Sequence, residues 1–201
     1  MPTATAIFQR ADPAYTGLRM TAEEFVRLPD DGCRYELVDG VVLVSPRPTP
    51  KHQTVLLEIA CQLANHLEDH DDVGMALHDT DVCLGKGPAR GDLVYRPDLV
   101  FVAKSHLDRI REKIFGAPDV VVEVISPGSA RFDTETKKDD YERCGVFEYW
   151  LIDPEQQAMV FYRLKEGRYA EVKPSGEGFA SEAVCGFTLD LARVRKKFKR
   201  W

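Results

Sequence analysis

Residues 118–126 of the chain read PDVVVEVIS. Valine and isoleucine fill most of these positions, which is typical of a β-strand covered on both faces. Glu123 interrupts this apolar run, and an ionised carboxylate buried there costs free energy unless something replaces its lost hydration. The sequence therefore predicts a central strand whose single acidic side chain has a specific partner.

The composition of the chain indicates one compact soluble domain. Its 201 residues are 44% hydrophobic and 30% charged, which is ordinary for a globular protein with a real core. No apolar stretch approaches the roughly 18 residues that span a bilayer, and the first residues lack the zones of a secretory signal. The five cysteines are widely spaced without a CxxC pair. This spacing favours a reducing cytoplasm over a disulfide framework or a zinc ribbon.

Charge is distributed unevenly along the chain. We predict a flexible leader over residues 1–18, a folded domain over residues 19–192 and a basic tail over residues 193–201. The net charge is −6, but the tail holds six basic residues and no acidic one, so residues 1–192 carry 21 basic against 33 acidic residues, or −12. This acidic body is unfavourable for a nucleic-acid binder. The tail is either a phosphate-binding segment or a solvated end that keeps the chain soluble.

Helices are interspersed among strands that mostly form hairpins, which favours an α/β fold with a mixed central β-sheet flanked by helices. Thr21 and Glu24 form a capping-box pattern and predict a short first helix. Asp39 and Gly40 lie between two β-forming runs and predict a hairpin. Apolar residues at helical spacing predict a long helix over about residues 51–70.

Two further helices are predicted on either side of the central strand. SHLDRIREKIFG, residues 105–116, has a helical pattern that ends at a glycine. DTETKKDDYERCG, residues 133–145, is expected to be capped by Asp133 or Thr134 and closed by Gly145.

A second strand carries an acid in an apolar setting, because Asp98 opens the strand in RPDLVFV, residues 96–102. Two carboxylates brought together repel each other, and one of them is forced to take up a proton. A divalent cation removes that penalty, and Mg²⁺ prefers a pair of carboxylates with water and phosphate oxygens. Asp98 and Glu123 are therefore candidate metal ligands for phosphodiester hydrolysis.

This chemistry also needs a cation beside the water and the developing charge, and Lys137 lies in the first turn of the following helix. Tyr141 is four residues later and shares its helix face, so it is a candidate substrate contact. Each residue alone has an ordinary interpretation. Asp98 could be a strand-start carboxylate, Glu123 could pair with Arg96 or Arg131, and Lys137 could be a solvated helix residue.

The segments RPDLVFV, PDVVVEVISP and DTETKKDDYERCGVFEYWLIDP resemble the Uma-two family of putative restriction endonucleases, which belongs to the PD-(D/E)XK nuclease superfamily. The likeness extends over about residues 20–190. It implies a restriction-endonuclease-like fold, Mg²⁺ (or Mn²⁺) held by Asp98 and Glu123, a lysine that assists the water, and a homodimer. The superfamily motif has a lysine at the position of Ile125 here, and the resemblance suggests that Lys137 replaces it.

Three more residues complete the candidate site. The carbonyl of Val124 is a further ligand for the metal. Glu36 is a candidate for the acidic cluster, although an ordinary surface glutamate on a hairpin is equally expected. His52, at the start of the long helix, could touch a phosphate or be incidental to the site.

We therefore expect a Mg²⁺-dependent endonuclease acting on DNA in the cytoplasm. The competing hypothesis is a nuclease fold without catalysis that binds nucleic acid or a protein partner. A weaker third hypothesis is hydrolysis of RNA or of a small nucleotide.

Overall fold

The structure is a computed structural model that describes residues 13–89 and 91–199. The predicted leader therefore lies outside the described residues as far as residue 12, as do Arg90 and the last two residues of the predicted tail. In chain order, the strands are β1 (Tyr35–Val38), β2 (Val41–Val44), β3 (Gly74–His78), β4 (Val82–Lys86), β5 (Asp92–Tyr95), β6 (Leu99–Ala103), β7 (Ile114–Phe115), β8 (Val120–Val124), β9 (Glu148–Asp153), β10 (Ala158–Lys165), β11 (Arg168–Glu171), β12 (Gly178–Ala180) and β13 (Thr188–Asp190). The helices are α1 (Ala22–Phe25), α2 (Pro50–Asp69), α3 (Lys138–Cys144) and α4 (Leu191–Lys196), with a 3₁₀-helix over Lys104–Arg109 and a π-helix over Phe132–Lys137.

The largest sheet that the structure describes has six strands in the order β11-β10-β9-β8-β6-β3. Strands β8 and β9 run parallel, whereas the other neighbours in this sheet run antiparallel. The sheet is therefore mixed, which confirms the predicted α/β class. A second sheet, β2-β1-β5-β4-β7, was not foreseen from the sequence.

Strand β8 is covered on both faces, as its apolar run predicts. Val120, Val122 and Val124 belong to a core cluster with side chains of α2 and α4. Val121 belongs to a second cluster, which joins this sheet to α3 and to the smaller sheet. Because side chains alternate along a strand, Glu123 points to the same face as Val121, toward α3.

The β1–β2 hairpin and α2 deliver further residues to the edge of β8. Asp39 and Gly40 have positive φ angles of 50° and 76°, the conformation of a two-residue hairpin turn. Helix α2 begins after Thr49, whose side chain accepts a hydrogen bond from the backbone N–H of His52. The hairpin and the long helix are confirmed as predicted.

The connection from β8 to β9 differs in detail from the prediction. Residues 130 and 131 are already helical, so Asp133 and Thr134 lie inside the helical segment and neither caps it. Gly145 does close α3, with a φ of 87°. The π-helix is a wider turn of a kind found frequently at functional sites.

The helix predicted over residues 105–116 is wrong beyond its first turn. A 3₁₀-helix ends at Arg109, and Ile114 and Phe115 form β7, which pairs in parallel with β4. Ile114 is fully buried between the sheets, so its burial in the core overrides the local helical pattern.

The start of the predicted basic tail is part of α4. Val194 and Phe198 are buried in the core cluster that also contains α2, while Arg193 and Lys197 pair with Glu58 of α2. The division of the chain at residue 192 stays a prediction. Among the described residues, no helix has the length and apolar character to cross a membrane, and the cytoplasmic location also stays a prediction.

Candidate active site

A small cleft of about 50 Å³ opens where the hairpin, the start of α2, the ends of β6 and β8, and the π-helix meet. The candidate residues that line it are Glu36, His52, Asp98, Glu123, Val124 and Lys137. Tyr141 is fully buried behind them. The structure thus brings every candidate site residue to one place.

Glu123 has two buried partners, both on the helical segment that follows β8. Its Oε1 accepts hydrogen bonds from Lys137 Nζ at 2.9 Å and from the Tyr141 hydroxyl at 3.0 Å. The arginines considered as alternatives pair elsewhere, Arg96 with Asp81 and Arg131 with Glu135. The acid inside the apolar strand is therefore matched by an ammonium and a hydroxyl from one helix face.

Lys137 is buried at 5% exposure, so it is not a solvated helix residue. Its Nζ lies 2.9 Å from Glu36 Oε1 as well as from Glu123, and 3.6 Å from Asp133 Oδ1. Burial alone would lower the pKa of Lys137, but the surrounding carboxylates outweigh burial and raise this pKa well above its usual value. One ammonium ion is thus shared by three acids.

Asp98 lies beside Glu123 because β6 and β8 pair with Leu99 opposite Val122. Its Oδ2 accepts a hydrogen bond from the backbone N–H of Val124 at 2.8 Å and contacts His52 Nε2 at 3.0 Å. Burial would raise the pKa of Asp98, but the contact with His52 and the Val124 N–H lower it. His52 therefore touches the site and is not incidental.

Negative charge is in excess in the cleft. Four acids line it (Glu36, Asp98, Glu123 and Asp133), against the cations Arg34, Arg96 and Lys137. Burial, together with the neighbouring acids, raises the pKa of Glu123 well above its usual value and also raises the pKa of Asp133. An added cation would relieve this excess.

The donor set suits a hard divalent ion. The hydrogen bonds described above all reach Asp98 Oδ2 and Glu123 Oε1. Within the described ranges, no hydrogen bond reaches the second oxygen of either carboxylate, Asp98 Oδ1 or Glu123 Oε2. Mg²⁺ takes such oxygens in small number and completes its shell with water and phosphate. Among the described residues, no three His, Cys, Asp or Glu side chains form a complete metal site by themselves. The residues therefore fit an ion that is held by one or two carboxylates.

Sequence reasoning did not identify Arg34, Ser45 and Asp133 as residues of the cleft. The sequence predicts Asp133 only as a helix cap, although it precedes Lys137 by four residues, a spacing that places both on one helix face. Arg34 precedes Glu36 by two residues, so strand alternation could have placed them together. Ser45 gave no such signal.

The fold is of the α/β class, with a mixed central sheet and an acidic cleft beside its central strand β8. The chain belongs to the Uma2 family: the family model, described as "Putative restriction endonuclease", matches residues 22–192. This finding confirms the resemblance that the motifs indicated.

A solved structure with the same fold is that of a putative nuclease belonging to DUF820 from Anabaena variabilis. It is 19% identical, with a TM-score of 0.72, and the match covers 90% of this chain and 99% of that chain. The likeness establishes the fold. No curated protein matches the chain.

Proposed function

We propose that the protein is a Mg²⁺-dependent endonuclease that hydrolyses phosphodiester bonds of DNA, with Mn²⁺ as an alternative metal. The observation that carries the proposal is the buried contact of 2.9 Å between Lys137 Nζ and Glu123 Oε1, in a cleft that also contains Asp98. Paired carboxylates with an adjacent amine are suited to metal-assisted attack of water on a phosphate. Membership of a family described as putative restriction endonucleases supports this reaction class.

Asp98, Glu123 and the carbonyl of Val124 would hold the metal. A bound Mg²⁺ supplies Lewis acidity toward the phosphate and makes water a better nucleophile. Lys137 orients the attacking water and stabilises the charge that develops on the phosphate oxygens. Glu36 holds the ammonium of Lys137 at 2.9 Å, so the lysine is fixed before substrate arrives.

Two buried residues fix the positions of the carboxylates of Glu123 and Asp98 by hydrogen bonds. The Tyr141 hydroxyl fixes Glu123 through Oε1, and His52 fixes Asp98 through Oδ2. Groups held this way need little reorganisation during the reaction. In this proposal Tyr141 acts through Glu123 and does not touch the substrate.

The departure from the superfamily motif at Ile125 fits the proposal. Ile125 is buried, and its N–H donates to the carbonyl of Ile152 at 2.7 Å, so this position is structural. The amine reaches Glu123 from the π-helix instead. A homodimer is part of the proposal, because cutting both strands of a duplex takes two sites.

The proposal is tested by cleavage of supercoiled plasmid with Mg²⁺, Mn²⁺ or EDTA. We expect nicking with either metal and none in EDTA, and we expect Asp98→Ala and Lys137→Ala to abolish it. Unchanged cleavage by Asp98→Ala would reject this site. Retardation of DNA in a gel without cleavage would favour the inactive binding module. Cleavage of RNA but not of DNA would show that RNA is the substrate.

A further inference from the structure

We propose that Arg34 and Ser45, with a water held by His52, form a phosphate-binding subsite that receives a phosphodiester group of the nucleic-acid strand beside the acid pair. The inference rests on the proposed function for the identity of the strand. The subsite itself is argued from three side-chain atoms to which the catalytic account gives no role: Arg34 Nε, Ser45 Oγ and His52 Nδ1.

The first observation is a set of polar atoms without partners. Among the described residues, three buried side-chain nitrogen or oxygen atoms have no hydrogen-bond partner: Arg34 Nε, Ser45 Oγ and His52 Nδ1. All three residues line the same cleft as Asp98 and Lys137. Buried polar groups in folded proteins are nearly always paired, so a cluster of exceptions at one cleft points to a bound group.

The second observation is that the backbone places Arg34 and Ser45 side by side. They lie just beyond the pair Tyr35–Val44 at the open end of the β1–β2 hairpin, and the Ser45 N–H donates to the Arg34 carbonyl at 2.9 Å. Arg34 also lies two residues before Glu36, so both side chains extend from one face of the hairpin. A guanidinium and a hydroxyl thus meet at the cleft that holds the acid cluster.

The third observation is that Arg34 is held in place through Nη2 while its Nε–H donor has no partner among the described residues. Its Nη2 donates to the Arg96 carbonyl at 3.1 Å and lies 3.0 Å from Asp79 Oδ1. Asp79 is more than half exposed, so water screens this ion pair. The guanidinium is thereby oriented while Nε–H stays available, and its planar fork suits phosphate oxygens.

The imidazole of His52 completes the subsite through water. Its side chain is only 5% exposed. The Asp98 carboxylate only accepts hydrogen bonds when ionised, so Nε2 carries the proton of that contact and Nδ1 is left for another partner. A water can bridge Nδ1 and a phosphate oxygen by hydrogen bonds to both.

A phosphate can bind at this position only if a cation offsets the excess negative charge of the cleft. Glu36, Asp98, Glu123 and Asp133 repel an approaching anion, and Lys137 is enclosed by three of them. Arg34 is the cation at the open end of the hairpin that can offset this repulsion. A phosphodiester is the anion expected beside a metal-dependent hydrolytic centre.

The test measures binding and not cleavage. Fluorescence anisotropy with a labelled DNA duplex is recorded over a range of salt concentrations, in EDTA and again with Ca²⁺, for the wild type, Arg34→Gln, Ser45→Ala and Arg47→Gln. Arg47 is exposed on the same loop and does not line the cleft, so it is the matched control. Thermal unfolding of each variant shows that it is folded.

We expect Arg34→Gln to raise the Kd about tenfold and to lower the salt slope by about one, as for one lost phosphate contact. Ser45→Ala should raise the Kd about threefold, whereas Arg47→Gln should change it less than twofold. Equal effects of Arg34→Gln and Arg47→Gln, unchanged binding by Arg34→Gln, or no DNA binding by the wild type would each overturn the subsite.

Two outcomes separate the subsite from the proposed function. If DNA binding depends on Arg34 but no metal supports cleavage, the subsite is supported and the proposed endonuclease activity is rejected. If the protein cleaves DNA and Arg34→Gln has an unchanged affinity for DNA, the endonuclease activity is supported and the subsite is rejected. A thermal shift with inorganic phosphate that needs Arg34, without an effect on DNA affinity, would also overturn the phosphodiester assignment.

Discussion

At the scale of single residues, the central feature is one lysine among several acids. Lys137 contacts Glu123, Glu36 and Asp133 inside the protein. Removing one partner of a buried ion pair leaves an uncompensated charge, which destabilises a protein more than the pair itself stabilises it. The site is therefore held together by the same side chain that is proposed to assist the reaction.

Replacement of Lys137 by methionine should destabilise the fold, because three acids lose their shared cation. We expect Lys137→Met to lower the free energy of unfolding by about 3–5 kcal/mol at neutral pH. Urea unfolding is the measurement.

Lys138→Met is the matched control for this change. The Lys138 side chain is 26% exposed and lies 4.0 Å from the exposed Asp139. Its replacement should cost less than about 1 kcal/mol. Equal losses of unfolding free energy in the two variants would show that Lys137 contributes no more to stability than Lys138 does.

At the scale of elements, the wide turn before α3 decides where the lysine lies. Asp133 and Lys137 both belong to the π-helix. The carbonyl of Asp133 accepts a hydrogen bond from the buried Tyr149 hydroxyl at 3.0 Å. Strand β9 thus supports the turn that supplies Phe132, Asp133 and Lys137 to the cleft.

Tyr149→Phe should weaken this turn, because the Asp133 carbonyl loses a buried donor. We expect a loss of about 1–2 kcal/mol in the free energy of unfolding, measured by thermal or urea denaturation. Tyr162→Phe removes a hydroxyl from the neighbouring ring, which is partly exposed. This control should change stability by less than about 0.5 kcal/mol, and a similar loss in both variants would contradict the role of Tyr149.

At the scale of the whole molecule, the C-terminal segment is part of the core as well as a source of positive charge. Phe198 is 3% exposed and packs in the cluster with α2 and the large sheet. Large-to-small changes at such positions cost both the transfer of the ring and the cavity left behind. The basic residues around it remain at the surface.

Phe198→Ala should therefore lower the free energy of unfolding by about 3–5 kcal/mol. Lys199→Ala, one residue later and exposed, should change it by less than about 0.5 kcal/mol. Urea unfolding of both variants is the comparison. A negligible effect of Phe198→Ala would mean that this segment adds only charge.

The sequence predicts the centre of the molecule better than its periphery. Glu123 in an apolar run and Lys137 four residues before Tyr141 follow from local spacing, and the structure brings all three together. The π-helix and β7 do not follow from local spacing, because packing against the rest of the fold decides them. Arg34 and Ser45 meet only through hairpin pairing, which links residues that are distant in the sequence.

The most direct test of the central claim is Mn²⁺ binding, followed by the loss of the free-ion signal in electron paramagnetic resonance. It needs no knowledge of the target sequence. We predict one Mn²⁺ site in the wild type that is competed by Mg²⁺ and is weakened at least about 100-fold in Asp98→Asn and in Glu123→Gln. No site in the wild type, or the same affinity in Asp98→Asn, would contradict the claim that these two acids share one divalent ion.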